Sequence, residues 1–86
     1  MKNIIIVART RTYLYSIQKI LNRNEVDTII INTPKSLGST CGLSLKTNIH
    51  NLFRIRKIFD YYEIEGLIGV FIESNNYGRL QYEKAY

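Results

Sequence analysis

The stretch Asn3-Ile4-Ile5-Ile6-Val7-Ala8 decides how this chain folds. Ile4 to Val7 are an unbroken run of β-branched residues, which is typical of a strand that lies at the centre of a sheet and is covered. Arg9-Thr10-Arg11-Thr12 ends the run, and either threonine can cap a helix. The sequence therefore predicts a central strand that leads directly into a helix.

The remaining elements follow outward from this strand. Apolar residues recur at helical spacing after Thr12, and β-branched or alternating runs separate two helical segments. The predicted strands are 3–8, 27–31, 43–47 and 67–72, and the predicted helices are 13–21 and 49–62. The second helix has six apolar residues available for its buried face: Ile49, Leu52, Phe53, Ile55, Phe59 and Tyr62. The order β-α-β-β-α-β predicts an α+β, ferredoxin-like sandwich: a four-stranded antiparallel sheet with both helices on one face.

The length of 86 residues is enough for one domain. We expect this domain to span residues 1–73 and residues 74–86 to form a C-terminal tail. The tail holds a turn signal, Asn75-Asn76-Tyr77-Gly78, and then a weakly alternating segment. The pattern leaves two interpretations open, a short edge strand or a loose tail.

The composition sets limits on location and partners. A net charge of +5 favours anionic partners, and a single cysteine cannot form an internal disulfide, which favours a reducing compartment. The apolar run Ile4 to Ala8 is too short for a signal-peptide core or a membrane span, so we expect a soluble cytoplasmic protein. The sequence has no aromatic-basic RNP motif, KH-type loop or zinc spacing, which argues against nucleic acid as a partner. Binding through the basic surface alone would show steeply salt-dependent retention on DNA or RNA.

The loop Gly38-Ser39-Thr40-Cys41-Gly42 holds the only cysteine of the chain among small residues. In the predicted topology the first two strands are parallel, so this loop should lie near Arg9, Thr10 and Arg11 at the start of the first helix. A helix N-terminus and two arginines would stabilise a thiolate at Cys41, and Ser39, Thr40 and Gly42 could donate hydrogen bonds to it. The alternative is that Cys41 is a small residue packed under the loop, with Gly38 and Gly42 setting the turn geometry.

Thr33-Pro34 followed by Ser39-Thr40-Cys41-Gly42-Leu43-Ser44-Leu45 resembles the selenium/sulfur carrier protein-like family, a small domain long catalogued as one of unknown function. Its members share an apolar strand that ends in a small polar pair, a helix, a second strand, a T-P segment and an S-[ST]-C-G-[LI]-[AS]-[LI] loop. The resemblance covers about residues 2–72. The basic segment Arg9-Thr10-Arg11-Thr12 departs from it, and the Cys-Pro-x-Pro motif of better understood sulfur-relay carriers is absent.

What the resemblance implies is a carrier whose Cys41 holds sulfur or selenium as a persulfide or selenosulfide. Its partners would be a cysteine desulfurase or a selenium-donating protein and an acceptor protein. Such a carrier is not an enzyme in the turnover sense, and it needs no cofactor. Arg9, Arg11 and Lys35 would attract the anionic species or an acidic partner.

The sequence gives less reason to assign a functional role to the other candidate residues. His50 is expected at the start of the second helix, at the opposite end from Cys41, and Asp60, Glu63 and Glu65 read as a solvated face. No metal-ligand cluster is present in the sequence pattern. The alternative function is therefore a non-catalytic ferredoxin-like protein-interaction or ligand-sensing module in which Cys41 is incidental. A homodimer through an exposed sheet face or the tail is a further option that nothing in the sequence supports.

Overall fold

A computed structural model describes residues 2–38 and 41–86 of the chain. These residues form five strands, two α-helices and two short 3-10 segments. The strands are β1 (Lys2–Ala8), β2 (Ile29–Asn32), β3 (Leu43–Asn48), β4 (Leu67–Asn76) and β5 (Arg79–Lys84); the helices are α1 (Arg11–Arg23) and α2 (Leu52–Tyr61); the 3-10 segments are Lys35–Leu37 and Ile49–Asn51.

The five strands form one antiparallel sheet in the order β2-β3-β1-β4-β5. The prediction of an α+β fold with an antiparallel sheet is confirmed, and the prediction of four strands is wrong. Residues 74–76 extend β4, and Tyr77 and Gly78 form a two-residue turn with φ angles of 54° and 81°. Two positive φ angles match the twist of a hairpin, so the chain returns as β5 along the edge of β4.

β1 is the central strand, paired with β3 on one side and β4 on the other. Ile4, Ile6 and Ala8 are fully buried against residues of both helices, so both helices pack on one face of the sheet. Ile5 and Val7 are also fully buried on the opposite face. The prediction of a central, covered first strand is therefore confirmed.

α1 begins where the sequence allowed a choice between two threonines. Thr10 is the N-cap, and its Oγ1 accepts a hydrogen bond of 3.2 Å from the backbone N–H of Tyr13. This contact satisfies one of the free donors at the helix start. The helix buries Leu14, Ile17 and Leu21 against the sheet.

The second helical segment differs from its prediction. It opens with a 3-10 turn, capped by the side chain of Asn48, and continues as α2 from Leu52. The buried residues of α2 are Ile55, Ile58 and Phe59. Phe53 and Tyr62 do not belong to the buried face and are 69% and 37% exposed. Phe53 falls off the i, i+3, i+4 stripe of these residues, and α2 ends at Tyr61, so Tyr62 has already left the helix.

No helix in the described part of the chain combines the length and the apolar character needed to cross a membrane.

Candidate functional site

Cys41 lies where the β2–β3 loop returns to the sheet, two residues before β3, and its side chain is half-buried. The Sγ atom is 3.2 Å from the carbonyl oxygen of Leu43 and 3.7 Å from that of Ala8 at the end of β1. The thiol can donate its proton to either oxygen. A carbonyl oxygen can only accept a hydrogen bond, so the sulfur is the donor in both contacts.

The loop meets the start of α1 through Arg11. The Nε atom of Arg11 donates a hydrogen bond of 3.2 Å to the carbonyl oxygen of Cys41, and Arg11 is the first residue of α1. The structure therefore brings together the cysteine, an arginine and a helix N-terminus, whose dipole favours negative charge. This is the proximity that the topology predicted.

The other predicted supporting residues are placed less directly. Thr10 is adjacent to Arg11, but its hydroxyl oxygen is used to cap the helix. Arg9 is exposed, and its backbone N–H donates to the carbonyl oxygen of Gly66 at 2.7 Å. Ser39 and Thr40 lie outside the described residues.

Gly42 makes the loop backbone possible next to the cysteine. Its φ angle is +77°, a conformation that residues with a side chain rarely adopt, and a Cβ built there would meet no atom of residues 2–38 and 41–86 within 4 Å. Within the described part of the chain, no atom therefore fills the space where a Gly42 side chain would lie.

Thr33 and Ser44 close the base of the loop, a role that sequence reasoning missed. The backbone N–H of Thr33 donates to the carbonyl oxygen of Gly42 at 3.0 Å, and the Thr33 and Ser44 hydroxyls lie 2.6 Å apart. Ser44 is fully buried. Both residues belong to the motif that carries the family resemblance, which was the available signal, but their pairing depends on the β2–β3 register.

The remaining candidates do not join this site. Cys41 precedes β3, whereas His50 follows the end of that strand, and its backbone N–H donates to Asn48. Asp60 accepts a hydrogen bond of 2.9 Å from the Tyr86 hydroxyl. Among residues 2–38 and 41–86, no cluster of three or more His, Cys, Asp or Glu side chains could hold a metal ion.

A second polar cluster lies on the sheet face opposite the helices. Glu73 is nearly buried, and its carboxylate accepts hydrogen bonds from Asn3 at 3.3 Å and from the Tyr82 hydroxyl at 2.8 Å. The Nζ atom of Lys46 lies 3.6 Å from the same carboxylate. These four residues come from four strands, so only the register of the sheet brings them together.

Four grooves on the described surface are lined by residues other than Cys41. A groove of about 640 Å³ is lined by Leu37 of the loop and by Phe71, Leu80 and Tyr82 of the β4–β5 hairpin. Cys41 is not part of its lining. The thiol is thus presented by a surface loop and is not enclosed in a groove of this kind.

A family model described as "Putative Se/S carrier protein-like" matches residues 3–67. The match runs from β1 to the first residue of β4 and includes the whole Cys41 loop. The resemblance drawn from the sequence is therefore confirmed. No curated protein and no solved structure matches the chain.

Proposed function

The chain belongs to the selenium/sulfur carrier protein-like family, and from this we propose that it carries sulfur or selenium on Cys41. In this proposal Cys41 holds a persulfide or selenosulfide, receives the outer atom from a donor protein and passes it to an acceptor protein. The chain is a carrier and not an enzyme in the turnover sense. The observation that carries the proposal is the half-buried thiol of the family loop, in a residue whose backbone carbonyl accepts a hydrogen bond from Arg11 at the start of α1.

The surroundings of Cys41 support transfer between proteins. A small substrate needs an enclosing pocket, whereas a thiol that exchanges sulfur with another protein needs an exposed loop on a firm base. The Thr33–Ser44 contact holds the base of this loop. Gly42, the residue after Cys41, carries no side chain, and the Cys41 side chain is itself half-buried.

Each transfer step balances without an added oxidant. The Cys41 thiolate attacks the outer sulfur of a donor persulfide, a new S–S bond forms, and the donor cysteine leaves as a thiolate. An acceptor thiolate then attacks the outer sulfur on Cys41, and Cys41 leaves as a thiolate. Because the chain has one cysteine, no second thiol of its own can expel the sulfur as a disulfide.

The charge of the chain indicates the nature of its partners. The net charge is +5, and Arg9, Arg11 and Lys35 are exposed on the segments that flank the loop and β1. An acidic surface on the donor or acceptor would complement them and speed encounter. A cysteine desulfurase is the donor class that supplies a persulfide, and a reducing, cytoplasmic compartment would keep Cys41 available.

The fold assignment belongs to the same proposal. The order β2-β3-β1-β4, with α1 and α2 on one face, is what two split β-α-β units produce. We assign it as a ferredoxin-like sandwich that β5 extends by one edge strand.

The test is the intact mass of the purified protein after incubation with a cysteine desulfurase and cysteine. We expect a gain of one or more sulfur atoms that a reductant reverses and that the Cys41→Ser variant does not show. Circular dichroism of the variant verifies that it is folded. A gain would justify repeating the measurement with a selenium donor.

A second candidate function is an interaction module in which Cys41 only packs. It is favoured by one observation, the contacts of the thiol with the carbonyl oxygens of Ala8 and Leu43. This function predicts no mass gain, and it predicts that Cys41 reacts slowly with a thiol reagent in the folded protein. These two results together would refute the proposed carrier function.

A further inference from the structure

Among the described strands, β2 forms an outer edge of the sheet and pairs only with β3. Two of its residues are large and exposed: Ile29 is 61% exposed and Ile30 is 44% exposed. Adjacent exposed isoleucines on an edge strand are an unusual feature of a chain that stays alone, because an open edge invites pairing with another strand.

The ladder between β2 and β3 shows which backbone groups face outward. Ile29 pairs with Lys46 and Ile31 with Ser44, and the N–H of Thr33 donates to the carbonyl of Gly42 in the same register. Bonded and non-bonded pairs alternate in an antiparallel ladder, so Ile29 and Ile31 direct their N–H and C=O groups toward β3. Ile30 and Asn32 direct theirs toward the free edge. Donors and acceptors that alternate in this way are satisfied by an added strand.

The opposite edge of the sheet is protected, and this edge is not. β5 carries Arg79, Glu83 and Lys84, the kind of charged residues that prevent edge-to-edge pairing. β2 consists of Ile29, Ile30, Ile31 and Asn32, with no charged residue and no proline.

We propose that β2 pairs with β2 of a second copy of this chain, antiparallel and with the two-fold axis at Ile30. The segment Thr28-Ile29-Ile30-Ile31-Asn32 is symmetric in character about Ile30. In this register Ile30 lies opposite Ile30 of the second copy, and Ile29 lies opposite Ile31. The polar residue Thr28 at one end lies opposite Asn32 at the other. The outward backbone groups of both strands are satisfied, and the two sheets join into one.

Charged residues on either side of the proposed β2–β2 contact, called the seam below, fit the same register. Glu25 and Asp27 are exposed just before β2, and Lys35 is exposed just after it. Antiparallel pairing brings the acidic end of one copy toward Lys35 of the other. Parallel pairing would instead place like charges side by side, which is unfavourable.

The dimer keeps the two Cys41 loops apart. Each loop follows β2, so antiparallel pairing places the loops at opposite ends of the seam. The offset is about eight residues, roughly 27 Å at about 3.4 Å per residue. A disulfide needs Cα atoms within about 7 Å, so the seam cannot join the two Cys41 thiols, and each loop stays available. The dimer does not rest on the proposed carrier function.

The first test is the oligomeric state by sedimentation over a range of concentrations. We expect a dimer for the unaltered chain and a loss of dimer affinity of about tenfold or more for Ile29→Lys, because a charge on this edge strand replaces the apolar contact with Ile31 of the second copy in both halves of the dimer. Leu80→Lys is the matched control, since Leu80 is 56% exposed on the other edge strand, and it should leave the dimer unchanged.

The second test uses cross-linking and does not depend on the folding of Ile29→Lys. In a bonded antiparallel pair the Cα atoms lie about 5.5 Å apart, within the range of a disulfide. In the Cys41→Ser background, Ile30→Cys should therefore oxidise to a covalent dimer, and Leu80→Cys should stay a thiol under the same conditions.

Three results would overturn the proposal. They are a monomer at every concentration, a dimer that Ile29→Lys does not weaken, and equal cross-linking of Ile30→Cys and Leu80→Cys. A monomer that takes up a strand of another protein at β2 also counts against it.

Discussion

At the scale of single residues, Cys41 combines two opposed influences. Its thiol faces the carbonyl oxygens of Ala8 and Leu43, while Arg11 binds its backbone carbonyl from the start of α1. The two carbonyl oxygens place negative partial charge beside the sulfur, and Arg11 places a positive charge on the same loop. In the proposed carrier, a persulfide would place its charge on the outer sulfur, one bond farther from the Cα, on a loop that Arg11 contacts.

Arg11 should therefore assist loading of Cys41. We expect Arg11→Gln to lower the initial rate of sulfur gain by about two- to fivefold, the effect of an exposed charged contact worth about 0.5–1 kcal/mol. The rate is measured by intact mass at short times with a fixed amount of cysteine desulfurase, and it should respond less to this substitution at high salt.

Arg54→Gln is the control for this prediction. Arg54 is also exposed and also donates to a backbone carbonyl, that of Glu25 at 3.4 Å, but it lies on α2. Equal loss of rate in the two variants would mean that only the net charge of the chain matters, and that Arg11 has no local role.

At the scale of elements, the turn between α2 and β4 is built on Gly66. Its φ angle is +75°, and a Cβ there would overlap the ring of Tyr13 on α1. Its carbonyl oxygen also accepts the N–H of Arg9 at 2.7 Å. The turn is thus packed against the segment that leads from β1 to α1.

We expect Gly66→Ala to lower the free energy of unfolding by about 2–4 kcal/mol, since it combines a strained backbone with overpacking. Gly78→Ala is the matched variant: φ is +81° and a Cβ meets nothing within 4 Å. It should lose only the backbone part, about 1–2 kcal/mol. Urea unfolding followed by circular dichroism gives both values, and equal losses would show that the Tyr13 ring yields without cost.

At the scale of the whole molecule, two tyrosines link stability to high pH. Burial raises the pKa of Tyr82 to about 12, and its hydrogen bond to Glu73 acts in the same direction. The hydrogen bond to Asp60 raises the pKa of Tyr86 as well. An unfolded tyrosine has a pKa of about 10. Between these values the unfolded chain has released protons that the folded chain retains.

The contribution of these two tyrosines to the free energy of unfolding should therefore be fully present below about pH 10. It should fall as the pH rises toward about 12. We expect Tyr82→Phe to remove part of this fall, on the order of 1 kcal/mol, because solvent screens a side chain that is only partly buried. The measurement compares urea unfolding of the variant and the unaltered chain at pH 8 and near pH 11. Tyr77→Phe, at a fully exposed turn position, is the control, and an identical pH dependence in all three proteins would refute the link.

The contrast between β1 and β5 explains how much of the fold could be predicted. Four consecutive β-branched residues mark β1 because a strand paired on both sides is buried on both faces. β5 has five exposed residues out of six, so its pattern is weak. Its formation depends on the Tyr77-Gly78 turn and on contacts with β4, such as that between Tyr82 and Glu73. The five-stranded sheet therefore could not be read from periodicity.

The sequence by itself determined the order of the first six elements, the family and the cysteine loop, because these depend on local patterns and on residues close together in the chain. Only the tertiary structure decided which groups surround Cys41, that Thr33 and Ser44 close its loop, and that Glu73 gathers partners from three other strands. The tertiary structure also decided which backbone groups of β2 face the free edge of the sheet. Contacts between distant residues follow from register and from the path of a loop, and a shift of one residue would exchange the two faces of a strand.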